Sequence, residues 1–237
     1  MDVDRDGWLN LLGLTPEEVP RLLVLEGTWW RQRALDTRLP SLTDVRETGM
    51  PDLWWGRLGG VPVAYCPAYG AARAVEPVHV LGLCGTPRVV QIGSCGGFGI
   101  PTGTVVVSTR ATIGEGASRY YGAEGVSLPT PALVERAARA LGDVPVVTGP
   151  TVSTDALLAQ PVALQQEWSS TGHVGVDLET SAVFSVAAAM SMEAVSLLFV
   201  WDELPGRAWT DSFSPEEAAA QARANAATWR VALGLLP

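Results

Sequence analysis

Short apolar runs rich in β-branched residues recur along the chain, each closed by glycine or a small polar residue, and segments with helical spacing lie between them. Such runs predict buried strands. The clearest is Val89-Val90-Gln91-Ile92-Gly93-Ser94-Cys95-Gly96-Gly97, whose glycine-rich end predicts a loop that a ligand can approach closely. Residues 21–25, 103–108, 144–148 and 195–201 predict further strands, and residues 54–65 a hairpin turning at Gly59-Gly60. Helices are predicted over 29–39, over 75–83 despite Pro77, and from Thr130-Pro131 to Leu141. The stretch 174–190 begins with acids at Asp177 and Glu179 and then runs small and apolar, as a buried helix does. Ser214-Pro215-Glu216-Glu217 is a capping box opening a last helix to about Leu236. Residues 1–20, with Thr15-Pro16-Glu17-Glu18 as a helix start, predict a helical N-terminal extension.

Strands alternating with helices place the chain in the α/β class. No repeat, linker or low-complexity segment interrupts it, so one domain is expected over residues 1–237. In such sheets ligands bind beyond the carboxyl ends of the strands, which directs attention to the loops after residues 25, 93 and 201.

Composition narrows the chemistry. The net charge of -9 argues against a nucleic-acid binder, because phosphate neutralisation needs a basic face. All 16 basic residues are arginine, which excludes a lysine Schiff base and a Walker lysine. Cys66, Cys84 and Cys95 have no metal-ligand spacing and form an odd set, so no metal site or disulfide framework is expected. His79 and His173 have no suitable partner nearby in sequence and are expected to be structural or exposed. The acidic N-terminal segment lacks an apolar leader core, and no apolar run has the length of a membrane span, so a cytoplasmic protein without membrane contact is expected.

Glycine after the first strand, followed by a helix carrying Arg31, Arg33 and Arg38, is a geometry that presents backbone N–H groups to an anion. The polar, aromatic loop 113–121 follows a strand and is a candidate for substrate contact. Asp202 follows the apolar run 195–201, where a carboxylate is costly to bury unless it has a partner or keeps a proton. It is a candidate acid; capping the following loop is the other reading.

Gly27 to Arg31, Arg46, Gly70, Gln91-Ile92-Gly93-Ser94-Cys95-Gly96, Gly114-Glu115-Gly116-Ala117-Ser118, Ser153-Thr154-Asp155, Val176-Asp177-Leu178-Glu179 and Val200-Trp201-Asp202 together resemble the purine nucleoside and uridine phosphorylase family. The resemblance keeps chain order from about residue 20 to the C-terminus. It implies a three-layer α/β/α sandwich with a mixed central sheet, assembled as dimers or trimers of dimers. The implied reaction is attack of phosphate on the anomeric carbon of a nucleoside through an oxocarbenium-like transition state, with phosphate as co-substrate and no cofactor. By the same resemblance Glu179 binds the ribose hydroxyls over Leu178, and Asp202 protonates or hydrogen-bonds the base at N7. Cys95, Gly96, Ser118, Leu157, Val176 and Trp201 fall at nucleoside-binding positions, and Gly27, Arg31, Arg46, Ser94 and Gln91 at phosphate-binding ones.

Several positions depart from the family. Thr28-Trp29 stands for Asp-Pro, and Gln91 for an arginine. Loss of one charge-assisted bond, about 1.5–3 kcal/mol, implies roughly hundredfold weaker phosphate binding. Leu157 replaces a stacking aromatic, while Trp201, where the family has a small residue, either stacks on the base or excludes a standard one. Residues 156–161 lack the Gln-x-Arg pair that reads uracil, so a purine-like or modified nucleoside is expected. Two alternatives stay open: a hydrolytic nucleosidase, with Glu26 or Glu203 activating water, and a reassigned scaffold that binds its ligand without cleaving it or runs different chemistry.

Overall fold

The computed structural model describes residues 3–207 and 210–237; the first two residues of the expected N-terminal extension lie outside them. The strands are β1 (Leu22–Gly27), β2 (Thr43–Glu47), β3 (Trp54–Leu58), β4 (Val61–Pro67), β5 (Arg88–Phe98), β6 (Val105–Gly114), β7 (Val126–Ser127), β8 (Val146–Thr154), β9 (Gly175–Asp177) and β10 (Glu193–Leu204). The helices are α1 (Arg5–Leu12), α2 (Arg31–Arg38), α3 (Ala71–Cys84), α4 (Pro131–Ala140), α5 (Val162–Ser170), α6 (Thr180–Ala189) and α7 (Pro215–Gly234).

All strands join one mixed sheet in the order β10-β6-β8-β9-β5-β1-β4-β3-β2, with β7 on β6. Because β10 also pairs with β5, strands β5, β10, β6, β8 and β9 close into a ring, and β1, β4, β3 and β2 extend from it as an open wing. Alternation along β1 shows why both faces are covered. Leu23 and Leu25 pack with α1, α3 and α6, whereas Leu22 and Val24 pack with α2, α4 and α7. A strand buried on both faces needs an unbroken apolar run, and each such leucine contributes about 1.5–3 kcal/mol. Cys95, Val106, Leu198 and Val200 fill the ring with Val147 and Val174 at its edge. The architecture is the expected α/β/α sandwich with a mixed sheet.

Differences from the sequence expectation have local causes. The helix expected over 75–83 begins earlier, at Ala71, and Pro77 sits inside it. β8 continues to Thr154 instead of stopping at residue 148, because Thr151 and Ser153 are buried by hydrogen bonds to Ser108 and Asp177. The loop expected over 113–121 is strand to Gly114, followed by a 3₁₀ turn over Ser118–Tyr121. Asp202, expected at a strand end, lies within β10. A register shift between Val200 and Asp202 removes Trp201 from the ladder, and Asp202, Glu203 and Leu204 then pair with Gly96, Gly97 and Phe98.

Among the described residues no helix is long and apolar enough to cross a membrane. The cysteines Cys66, Cys84 and Cys95 are all free and buried. His79 bonds Tyr121, and His173 bonds Thr112, so both serve the framework.

Candidate active site

The carboxyl ends of β1, β5, β9 and β10 open into one cavity of about 740 Å³, walled on its sides by α2 and α7. Glu179 lies at one end, at the N-cap position of α6, yet its side chain makes no cap bond. Asp177 caps the helix instead, accepting from the backbone N–H groups of Glu179 and Thr180 at 3.2 and 2.8 Å. It also accepts from Ser153 Oγ at 2.6 Å and Gln91 Nε2 at 3.0 Å.

This frees Glu179 to face the cavity. Its Oε1 accepts from Gly70 N at 2.7 Å, where Gly70 has φ +83°, a conformation that favours glycine. Its other oxygen lies against Gly27, so closely that a Cβ there would stand 2.5 Å from it. Glu179 is 4% exposed. Burial, reinforced by the Asp177 charge, pushes its carboxyl up to about 8.

Asp202 faces the same cavity from β10 and is 9% exposed. Burial raises its carboxyl to about 6, with a smaller contribution from Asp211. A carboxyl raised toward neutrality keeps a protonated fraction there that can donate to a leaving group. Between the two acids run Gly93, Ser94, Cys95 and Gly96. Burial, Asp177 and Asp202 push the Cys95 thiol well above its usual range, so it is a wall and not a nucleophile.

The cavity thus gathers Gly27, Ser94, Cys95, Gly96, Leu157, Val176, Leu178, Glu179, Trp201 and Asp202. Four other candidates lie elsewhere. Gln91 is 0% exposed and is turned to Asp177. Arg31 pairs with Asp52 in a shallow depression beside α2. Arg46 pairs with Glu18 on the open wing and stacks on Trp55. Ser118 is buried between Glu115 and Ser185. Its hydroxyl is consumed by the framework.

Sequence reasoning did not single out Tyr69, Gln160, Phe213, Gln221 or Asn225, all of which line the cavity. Tyr69 packs on Trp29 with ring centroids 5.2 Å apart, beside Glu179. Trp201 meets Phe199 and Phe213 at 6.1 and 5.9 Å, an aromatic roof near Asp202. Glu203, considered as a water activator, accepts from Thr102 N at 2.8 Å and is committed to the loop.

Glu26, the other such candidate, receives Arg38 Nε and Nη2 at 2.9 and 3.0 Å and Tyr65 OH at 2.7 Å. Arg38→Met is expected to cost about 3–5 kcal/mol, since it strands a buried carboxylate. Urea unfolding checks this, and a loss below about 1 kcal/mol would show that the pair is not a structural anchor. Among the described residues no cluster of His, Cys, Asp and Glu has the arrangement of a metal site.

A family model described as the phosphorylase superfamily matches residues 43–233. No curated protein matches the chain. Two solved structures of uridine phosphorylase from Vibrio fischeri ES114 share the fold. One, complexed with 6-hydroxy-1-naphthoic acid, has a TM-score of 0.78 at 21% identity, covering 93% of this chain and 92% of the other. The second has a TM-score of 0.80 at 22% identity, covering 93% of each chain. With the family match spanning most of its length, the chain belongs to the phosphorylase superfamily.

Proposed function

We propose that the protein cleaves the N-glycosidic bond of a purine-like nucleoside, with phosphate as the nucleophile and co-substrate. The observation that carries this reading is the pair of buried carboxyls with raised pKa, Glu179 and Asp202, lining one cavity together with the Gly93–Gly96 segment of β5. Ionised Glu179 accepts hydrogen bonds from the two ribose hydroxyls, and its charge favours the positive charge that develops on the sugar. As the C–N bond lengthens, its electron pair leaves with the base. Asp202 gives its proton to N7, so the base departs neutral. A phosphate oxygen then bonds to the anomeric carbon and gives a sugar 1-phosphate. Gly27 and Ser94 border this end of the cavity, and Arg33 is the cation beside it that has no ion-pair partner among the described residues.

Arg46 lies on an outer strand of the wing. The phosphate reading therefore carries with it a homo-oligomer in which Arg46 serves a neighbouring copy, in a cytoplasm that supplies phosphate. The scheme uses no metal or organic cofactor.

A specific observation favours hydrolysis as a second reading. Gln91, Arg31 and Arg46 are all engaged with acidic partners of their own chain and lie outside the cavity. Base release from a nucleoside panel with and without phosphate separates the readings. Phosphate-dependent release with sugar 1-phosphate is the expected result; release of free sugar without phosphate would establish hydrolysis. Silence with every nucleoside would overturn both.

A further inference from the structure

Helix α7 has two faces with different duties. Ala224, Ala227, Val231 and Ala232 pack into the core, whereas Ala218, Gln221, Ala222 and Asn225 line the cavity. The spacing of the second set is that of one helical stripe. Its small residues make room and its two amides supply polarity.

Both amides have their orientation fixed by partners that allow no choice. Gln221 is 7% exposed, and its Nε2 donates to the carbonyl of Trp201 at 2.8 Å and to Thr102 Oγ1 at 3.1 Å. A carbonyl can only accept, so the end left over is Oε1, an acceptor. Asn225 Oδ1 accepts from Arg38 Nη2. A guanidinium can only donate, so the end left over is Nδ2, a donor. Arg38 is held in turn by Glu26, itself held by Tyr65. The cavity lining therefore includes the acid Asp202, the acceptor Gln221, held by the carbonyl of the residue before that acid, and the donor Asn225, about one helical turn along α7 from Gln221.

We propose that Gln221 and Asn225 read the leaving base and select a 6-aminopurine, a step that rests on the N-glycosidic cleavage reading. Along the edge of a purine, N7 is followed by the substituent at C6 and then by N1. With N7 at Asp202, a 6-amino group donates to Gln221 Oε1 and an unprotonated N1 accepts from Asn225 Nδ2. A 6-oxo base reverses both groups: its O6 faces an acceptor and its N1–H faces a donor. Opposed polar groups in a nearly buried wall are costly, and discrimination of about 100-fold or more is expected.

The test compares binding of free adenine and free hypoxanthine to the full chain by titration calorimetry, alongside phosphorolysis of adenosine and inosine. The wild type is expected to bind adenine at least about tenfold more tightly. Asn225→Asp keeps an acceptor for Arg38 and replaces the donor with a second acceptor, so the preference is expected to move at least about tenfold toward hypoxanthine, whose N1–H it can receive. Asn225→Ala, a second variant, is expected to weaken adenine without improving hypoxanthine. Equal binding of the two bases by the wild type, no binding of either, or an unchanged ratio in both folded variants would overturn the assignment. Free bases need no bond cleavage. Preference for adenine without turnover of any nucleoside would leave the base assignment standing and refute the catalytic reading alone.

Discussion

Glu179→Ala is expected to lower kcat/KM for nucleoside cleavage by about 10³–10⁴-fold while leaving the protein folded. Two charge-assisted hydrogen bonds to the sugar hydroxyls, about 1.5–3 kcal/mol each, disappear, and with them the negative charge beside the developing oxocarbenium. The fold should tolerate the change, because the removed carboxyl is buried and its ionisation is disfavoured by burial and Asp177. Steady-state kinetics beside circular dichroism checks both halves. Full activity in a folded variant would remove Glu179 from the sugar site. Glu179→Gln should behave similarly, since the amide keeps the shape and loses the charge.

Asp202→Asn is expected to reduce kcat by about 10²–10⁴-fold and to change the shape of the pH profile. The productive state has Glu179 ionised and Asp202 protonated, the reverse of what their values of about 8 and about 6 favour. As pH rises, each unit between these values gains ionised Glu179 and loses protonated Asp202 in equal measure. In the wild type kcat/KM should therefore rise to about pH 6, stay level to about pH 8 and fall beyond. At pH 7 about one molecule in a hundred is in the productive state. The variant has no proton to lose at this position. Its residual rate should follow a single rising limb with a midpoint of about 8, set by Glu179. Retention of the falling limb would assign it to a group other than Asp202.

Strands β1, β5 and β10 were legible because burial on both faces demands continuous apolar sequence. β2 was not, because Thr43–Glu47 lies at the sheet edge with a mostly polar, partly exposed pattern. α5 has no buried residue and so leaves no apolar stripe to find. Within the site, Asp202 could be picked out because an acid at the end of an apolar stretch is conspicuous, whereas only the family resemblance separated Glu179 from Asp177, which stands at the margin of the same stretch and caps α6. Gln91 and Ser118 are different. Whether a polar side chain faces a ligand or an internal partner depends on neighbours far away in sequence, here Asp177 and Ser185. The stripe 218, 221, 222 and 225 was present in the sequence, but in an alanine-rich helix two small faces look alike until one of them is filled.

The ring of five strands divides the molecule's capacity for change. Asp177 and Asp202 lie on ring strands, each tied to neighbours that cannot shift without opening the closed circuit. Ala218 and Ala222, on α7, are exposed, line the cavity and belong to none of the apolar clusters. Exchanging them alters the shape of the base compartment at little cost to stability. In descent, such a chain can acquire a new leaving group through α7 while inheriting unaltered both Asp202 and the Asp177 cap that leaves Glu179 free to face the cavity. Diversification of substrate and preservation of chemistry are mechanically separate.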